Sequence, residues 1–339
     1  MHSPSTKQLV APSPWLVSPW FDLALVANLG WVLLLVPGVL ASGGVSHLEF
    51  WQVYFLIVPH RWITLGLVAI DADRRTGRNA AFLSIAVITA LVIVGARATT
   101  GAFTCLALVD YVWNYWHFGA QHGGIFRMYS RKAGGGRPKL ENWTLRVLVV
   151  YTALRLAGWT TGWLETQSEL LDYLPWIDLA VAAVPAALLV SEAASGLSER
   201  RAKITYLASV TALYGGILLA LNAQAKMMVL ALTAGAAFFH ATEYLAIVTH
   251  YAWRRQREGS IGLFRQMAGR WSLVLGVFLA GWGMCAYLAD SSPRVHEAWI
   301  GLNLWASALH YAFDGMIWKL RRPQTARALG VEIPAEVRA

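Results

Sequence analysis

Asp110-Tyr111-Val112-Trp113-Asn114-Tyr115-Trp116-His117-Phe118-Gly119-Ala120-Gln121-His122 closes a hydrophobic run, yet Asp110, Asn114, His117 and Gln121 recur at i, i+4, i+7 and i+11. That spacing places all four on one face of an α-helix. A polar stripe on an otherwise apolar helix is costly in lipid, so it is expected to face the inside of a protein. The reading of this stretch therefore asks for a membrane, a bundle, and something polar at its centre.

The bulk composition agrees with the first of these. Of 339 residues, 57% are hydrophobic and only 14% charged, with a mean hydropathy of +0.47. A soluble domain carries roughly 25% charged residues. The expected fold is all-α, a polytopic membrane helix bundle. A span needs about 20 mostly apolar residues. Ten stretches qualify, at about 18–41, 48–70, 79–97, 101–122, 143–163, 173–193, 204–222, 225–251, 271–290 and 296–318. Arg155 and Asp178 interrupt the fifth and sixth. The N-terminal stretch has neither the basic segment nor the cleavage site of a secretory signal, so the run from Phe21 reads as the first span. Cys105 and Cys285 both fall inside apolar runs, away from any disulfide or zinc-finger pattern. A single transmembrane domain over 1–320 is expected, followed by a mobile cytoplasmic tail over 321–339.

The charges orient the chain. Of 28 Lys and Arg residues, 22 fall in alternate loops and the two termini, whereas the intervening loops hold Arg97, Lys226 and Arg294. By the positive-inside rule both termini are cytoplasmic, and an inner, cytoplasmic membrane of bacterial type is the expected location. The basic loops are then explained by topology and anionic lipid, which leaves nothing for nucleic acid to explain.

Every even-numbered span then runs from outside to inside, and each carries a polar stripe towards its cytoplasmic end. Span two has His60, Thr64 and Asp71; span four has the opening stripe; span eight has His240, Glu243 and His250; span ten has Asn303, Ser307, His310 and Asp314. At 1.5 Å per residue, His60, His240 and His310 lie roughly 12–17 Å from the cytoplasmic edge, His117 about 6–8 Å in, and His122 and His250 at the edge. One buried histidine is ordinarily a hydrogen-bonded core residue. Four helices placing histidine at similar depth, with carboxylates one turn away, exceed what packing needs, since polar contacts between membrane helices are usually made by Ser, Thr, Asn or Gln.

Imidazole with carboxylate and no thiolate suits Fe, Zn, Mn or Cu(II). The expected metal ligands are His60, His117, His122, His240, His250, His310, Glu243 and Asp314. Glu243, Asp314 and Tyr244 are the candidate catalytic groups, and Asn114, Gln121 and Asp71 would support the ligands from behind. This supply suffices for one or two ions. An aromatic set including Trp113, Trp116, Phe118, Tyr244 and Tyr311 could wall an apolar tunnel, or could equally be ordinary membrane core.

Pro59-His60 with the downstream Asp71, Trp116-His117-Phe118-Gly119 and the later His240 together resemble the bacterial Brp/Blh-type β-carotene dioxygenases. Arg61 stands where that family has glycine, and His310-x-x-x-Asp314 has no counterpart in its motifs. The resemblance implies a polytopic membrane protein that binds iron through His60, His117 and His240 and cleaves a carotenoid, or oxidises another lipid, with O₂. The His-x-x-x-His and His-x-x-His-His boxes of membrane desaturases and hydroxylases are absent. Three other classes use similar residues. A haem or electron-transfer protein would take two facing histidines as axial ligands; a zinc-dependent membrane hydrolase or isomerase would use the same ligands as iron. A transporter would need a continuous polar path, against which the apolar outer halves of the even-numbered spans argue. Lipophilic substrate, O₂ and membrane lipids are the partners implied; oligomeric state is not legible.

Overall fold

The structure is a computed structural model that describes residues 13–36, 50–162, 171–257, 263–289 and 292–331. It is all helical, with no strand among the described residues. We number its long helices α1 (Phe50–Ile70), α2 (Asn79–Thr100), α3 (Thr104–Lys132), α4 (Pro138–Thr160), α5 (Leu174–Ala194), α6 (Leu197–Asn222), α7 (Lys226–Arg257), α8 (Trp271–Ala289) and α9 (Pro293–Ile317). Five of these, α2, α5, α6, α7 and α8, are long and apolar enough to cross a membrane. The outward faces of α2 and α8 carry exposed leucines and valines such as Leu83, Leu91, Val94, Leu273 and Val277, as expected of helices whose solvent is hydrocarbon.

Four helices form the centre. α1 packs against α7 and α9, and α3 packs against the same two, so α1 and α3 face each other diagonally across a ring. These are the helices that carry the histidine stripes. α2 and α8 cover the ring on the side of α9 and α1; α4, α5 and α6 cover it on the side of α3 and α7. α3 and α4 form the closest pair, for a local reason. Gly119 and Gly123 sit one helical turn apart, and a Cβ on Gly119 would stand 2.9 Å from the Arg146 backbone, one on Gly123 3.0 Å from Asn142 Oδ1. Small residues at this spacing let two backbones approach.

The interrupting charges of the fifth and sixth expected spans meet each other. Arg155 of α4 donates from Nε and Nη2 to the two carboxylate oxygens of Asp178 of α5, at 2.9 and 3.0 Å, and Tyr151 and Asn222 complete the Asp178 shell. A forked, fully hydrogen-bonded pair is how a buried charge is tolerated, and both helices run on unbroken. At the other end of α4, Lys203 donates to Glu141 and Glu192 at 2.9 and 2.7 Å, with Arg127 and Arg200 on the same two carboxylates at 2.5 and 2.6 Å. This network joins α3, α4, α5 and α6.

Two expectations need correction. Within 18–36 there is no continuous first helix; Pro19–Phe21 gives way to a π-helical turn, Asp22–Val26, and a 3₁₀ segment, Leu29–Leu34. The cause is polar. The buried Asp22 carboxylate accepts the backbone N–H groups of Leu16 and Val17 and the Tyr129 hydroxyl, and Asn28 turns left-handed at φ 43° with its amide on Thr242. The remainder of that span, 37–41, lies outside the described residues. The C-terminal segment is not a free tail over 323–331 either. Pro323–Ala328 is helical, and Ala326, Ala328, Leu329 and Val331 are buried in the core. Arg254 donates to the Ala328 carbonyl and His250 to the Leu329 carbonyl, both at 3.1 Å. Residues 332–339 lie outside the described residues. Both cysteines are free and exposed.

Candidate metal centre

His60 of α1, His240 of α7, His117 of α3 and His310 of α9 each project from one helix of the central ring, and their imidazoles meet. Ring centroids are 5.0 Å apart for His60–His240, 5.1 Å for His240–His117, 4.6 Å for His117–His310 and 4.9 Å for His310–His60. The four rings thus make a closed square, with His240 and His310 6.3 Å apart on one diagonal. His60, His240 and His310 are at most 1% exposed and His117 7%.

Most ring nitrogens of this square lack hydrogen-bond partners among the described residues. Nε2 of His60, His117 and His310 and both ring nitrogens of His240 are buried without a hydrogen bond among the described residues. Buried polar atoms are nearly always satisfied, so several orphans converging from four helices need an explanation. A metal ion supplies one, because neutral imidazole presents a lone pair that a cation satisfies. One ligand atom from each of His60, His240 and His310 lies within 4.8 Å of the others, and the same is true of His117, His310 and Asp314. Metal–nitrogen bonds of about 2.0–2.1 Å nearly bridge that distance. The residues present therefore fit an ion, with His310 common to two overlapping ligand groups.

The groups behind the ligands are fixed. Thr64 Oγ1 donates to Asp314 Oδ1 at 3.0 Å and lies 2.7 Å from His310 Nδ1. With its one proton given to Asp314, Thr64 accepts from His310 Nδ1–H, an assignment made from the network. That tautomer leaves the His310 Nε2 lone pair facing the square. Asp314 Oδ1 also accepts from Trp318 at 3.2 Å, and the single hydroxyl proton of Tyr244 lies between Asp314 Oδ1, also at 3.2 Å, and Thr64 Oγ1, which has no proton left to give. Asp314 Oδ2 is left 3.6 Å from His310 Nδ1 and 3.7 Å from His117 Nε2. Phe118 stacks flat on His240 with centroids 3.9 Å apart, and the Tyr311 ring lies 5.0 Å from that of His117. The Tyr311 hydroxyl is 2.9 Å from Asn114 Oδ1 and 3.1 Å from Asp110 Oδ1. Asn114 thus supports His117 through Tyr311, and Asp110 joins the same contact.

Four expected site residues lie elsewhere. His122 and Glu243 form a second buried polar group. Glu243 accepts from Tyr206, from His122 at 3.2 Å and from Gln121 at 2.7 Å, while His122 also lies 3.0 Å from Tyr206. Gln121 links the two groups by donating to the His240 carbonyl at 3.0 Å. His250 holds the C-terminal segment, and Asp71 caps Ala72–Arg75, accepting from the Asp73 backbone at 3.1 Å and from Tyr251. Sequence reasoning left Arg61, Ser307 and Arg146 without roles. Arg61 donates to Ser307 beside the square; its position next to His60 in an apolar run was the available signal.

A cavity of about 410 Å³ reaches the centre. His117 and Asp314 lie in its wall, with Tyr244 and Tyr311 beside them, and Trp113, Trp116, Ile247 and Met128 supply its apolar surface. Trp113 and Trp116 are also 39% and 41% exposed, so the cavity wall continues to the outside of the bundle. Comparison with known proteins matched no family model, no curated protein and no solved structure.

Proposed function

We propose that the protein is a membrane-embedded, metal-dependent oxygenase, with non-haem iron held by His60, His117, His240 and His310 and by Asp314. The observation that carries this is the square of imidazoles with unpartnered nitrogens, whose His117 lines an aromatic cavity. His117, His310 and Asp314 have the donor set of two histidines and one carboxylate used by non-haem iron oxygenases. The two overlapping groups allow one ion or two. About ten spans with both termini cytoplasmic, set by the loop charges, put the square in the inner half of a cytoplasmic membrane. A lipophilic substrate, a carotenoid or another lipid, would enter between Trp113 and Trp116. Iron bound there would supply dioxygen activation, with the electrons for splitting a carbon–carbon double bond into two carbonyls coming from that bond. Tyr244 and Thr64 hold Asp314 in place, and the aromatic wall excludes water. Glu243 and His122, engaged with Tyr206, are read as buttressing α7 from behind. Zinc fits the nitrogen ligands equally well. Haem fits less well, because imidazoles about 5 Å apart around the whole ring leave no slot for a macrocycle.

The test is elemental analysis and an optical spectrum of protein purified without chelator. About one iron or more per chain and no Soret band is the expected result; below about 0.2 metal ions per chain the reading fails. His117→Ala should lower the metal content and abolish O₂-dependent conversion of lipid supplied in micelles, assayed with both β-carotene and an unsaturated fatty acid. His296→Ala, roughly 21 Å from His310 along α9, should change neither.

A further inference from the structure

Among the described residues, Arg146 is a cation without a counter-charge. It lies on α4 against Gly119 of α3, two residues from His117, and so stands at the level of the histidine square. Its Nε is buried and meets no acceptor, and no ion pair joins it among the described residues. The faces of Trp116 and Trp143 lie 5.0 and 5.8 Å from its guanidinium carbon. Arg155, on the same helix, is matched by Asp178. An intramembrane cation left unmatched is costly, and in membrane proteins such residues mark ligand sites. Arg146 lines the cavity that His117 and Asp314 share, and Lys319 lines the same cavity. Lys319 lies just past α9, where burial and then Arg321, Arg322 and Arg78 hold its ammonium below the usual lysine range. An anion would relieve both cations.

We propose that the cavity takes an amphiphile with an anionic head, a carboxylate or a phosphate. Arg146 holds the head, and the chain lies along Trp113 and Trp116. The guanidinium fork matches either oxyanion in two hydrogen bonds. This rests on the oxygenase reading and narrows it, selecting an anionic amphiphile over a neutral hydrocarbon carotenoid among the lipids that reading allows, but head-group binding at Arg146 does not itself require the metal.

The experiment uses the full chain in uncharged detergent. cis-Parinaric acid, a fluorescent fatty acid excited by energy transfer from tryptophan, is titrated in parallel with its neutral methyl ester. The native protein should bind the acid at least about tenfold tighter than the ester. Arg146→Gln should remove that preference while leaving ester binding unchanged, which shows that the variant is folded; Arg146→Lys should keep part of it. Equal binding of acid and ester by the native protein, or equal weakening of both by Arg146→Gln, overturns the proposal. Oleate and oleoyl lysophosphatidate are then added as competitors. The stronger one identifies the head group; displacement by neither overturns the proposal. The titration is repeated on chelator-treated protein with metal measured separately. Acid preference that survives the chelator shows head-group binding independent of metal; in protein purified without chelator, acid preference with no metal removes the oxygenase alone, and metal with no acid preference removes the cavity assignment alone.

Discussion

Thr64 settles the chemistry of His310. By donating to Asp314 and accepting from His310 Nδ1, it selects the tautomer that turns Nε2 towards the other imidazoles. Thr64→Val keeps the shape and removes the hydroxyl, so metal affinity measured by chelator competition should fall about 10- to 100-fold. Thr64→Ser should stay near the native value. At this scale the sequence was informative about residue types and poor about partners. His60, His117, His240 and His310 were legible as a set because lipid penalises polar atoms and so only an internal site explains them. The separation of Glu243 from His240 was not. Three residues apart on α7, they point about 60° apart around the helix, which is enough for His240 to meet α1 and α3 while Glu243 meets Tyr206 of α6.

Among the elements, the α3–α4 pair governs where the site sits. Gly119 brings Arg146 against α3, and a methyl group there meets backbone at 2.9 Å. Gly119→Ala should lower stability by about 1–3 kcal/mol, read as an earlier thermal transition in detergent. Gly95→Ala, in open space on α2, should leave the transition unchanged or slightly later. The same pair has a pH-dependent clasp where α3 ends and α4 begins. Burial alone would raise the Glu141 carboxyl, but hydrogen bonds and charge from Arg127 and Lys203 outweigh it and hold it below the usual range. A lowered folded value means that the stabilisation is present above the unfolded glutamate pKa, about 4.3, and is lost as pH falls through the folded value. Native protein should therefore lose thermal stability below about pH 4. Lys203→Met should cost about 3–5 kcal/mol at neutral pH, because Glu141 and Glu192 are left buried with their shared cation gone. That cost should shrink on acidification, as the Glu141 carboxylate protonates; a cost independent of pH would remove the clasp.

At the scale of the molecule, topology is the prediction. A single cysteine at Gly135, placed in a background lacking Cys105 and Cys285, should react with an impermeant maleimide only in inverted vesicles. One at Ser292 should react only in right-side-out vesicles. The reverse pattern would invert the bundle and place the cavity and its cations on the outer side. Nine of the ten stretches expected as spans coincide with long helices to within a turn or so at most ends, five of them long and apolar enough to cross a membrane; the fourth runs on to Lys132 because α3 carries its polar face beyond the apolar run. The first was misread because Asp22 and Asn28, single polar residues in an apolar run, meet partners from Tyr129 and Thr242 that lie far along the chain. Likewise Pro323–Ala328 was read as tail because its few apolar residues are insufficient to signal burial until α7 is there to receive them.

The opening stretch from Asp110 to His122 marks the division. Sequence by itself determined that this is an all-helical, apolar chain, that one face of this helix looks inward, and that histidines on three other helices stand at matching depth. Those follow from periodicity and from the cost of polar groups in hydrocarbon, which act on each helix separately. Tertiary structure alone decided that His117 joins the square while His122, five residues on, turns to Glu243 and Tyr206. Periodicity says which face is buried; only the packing of neighbouring helices says what that face meets.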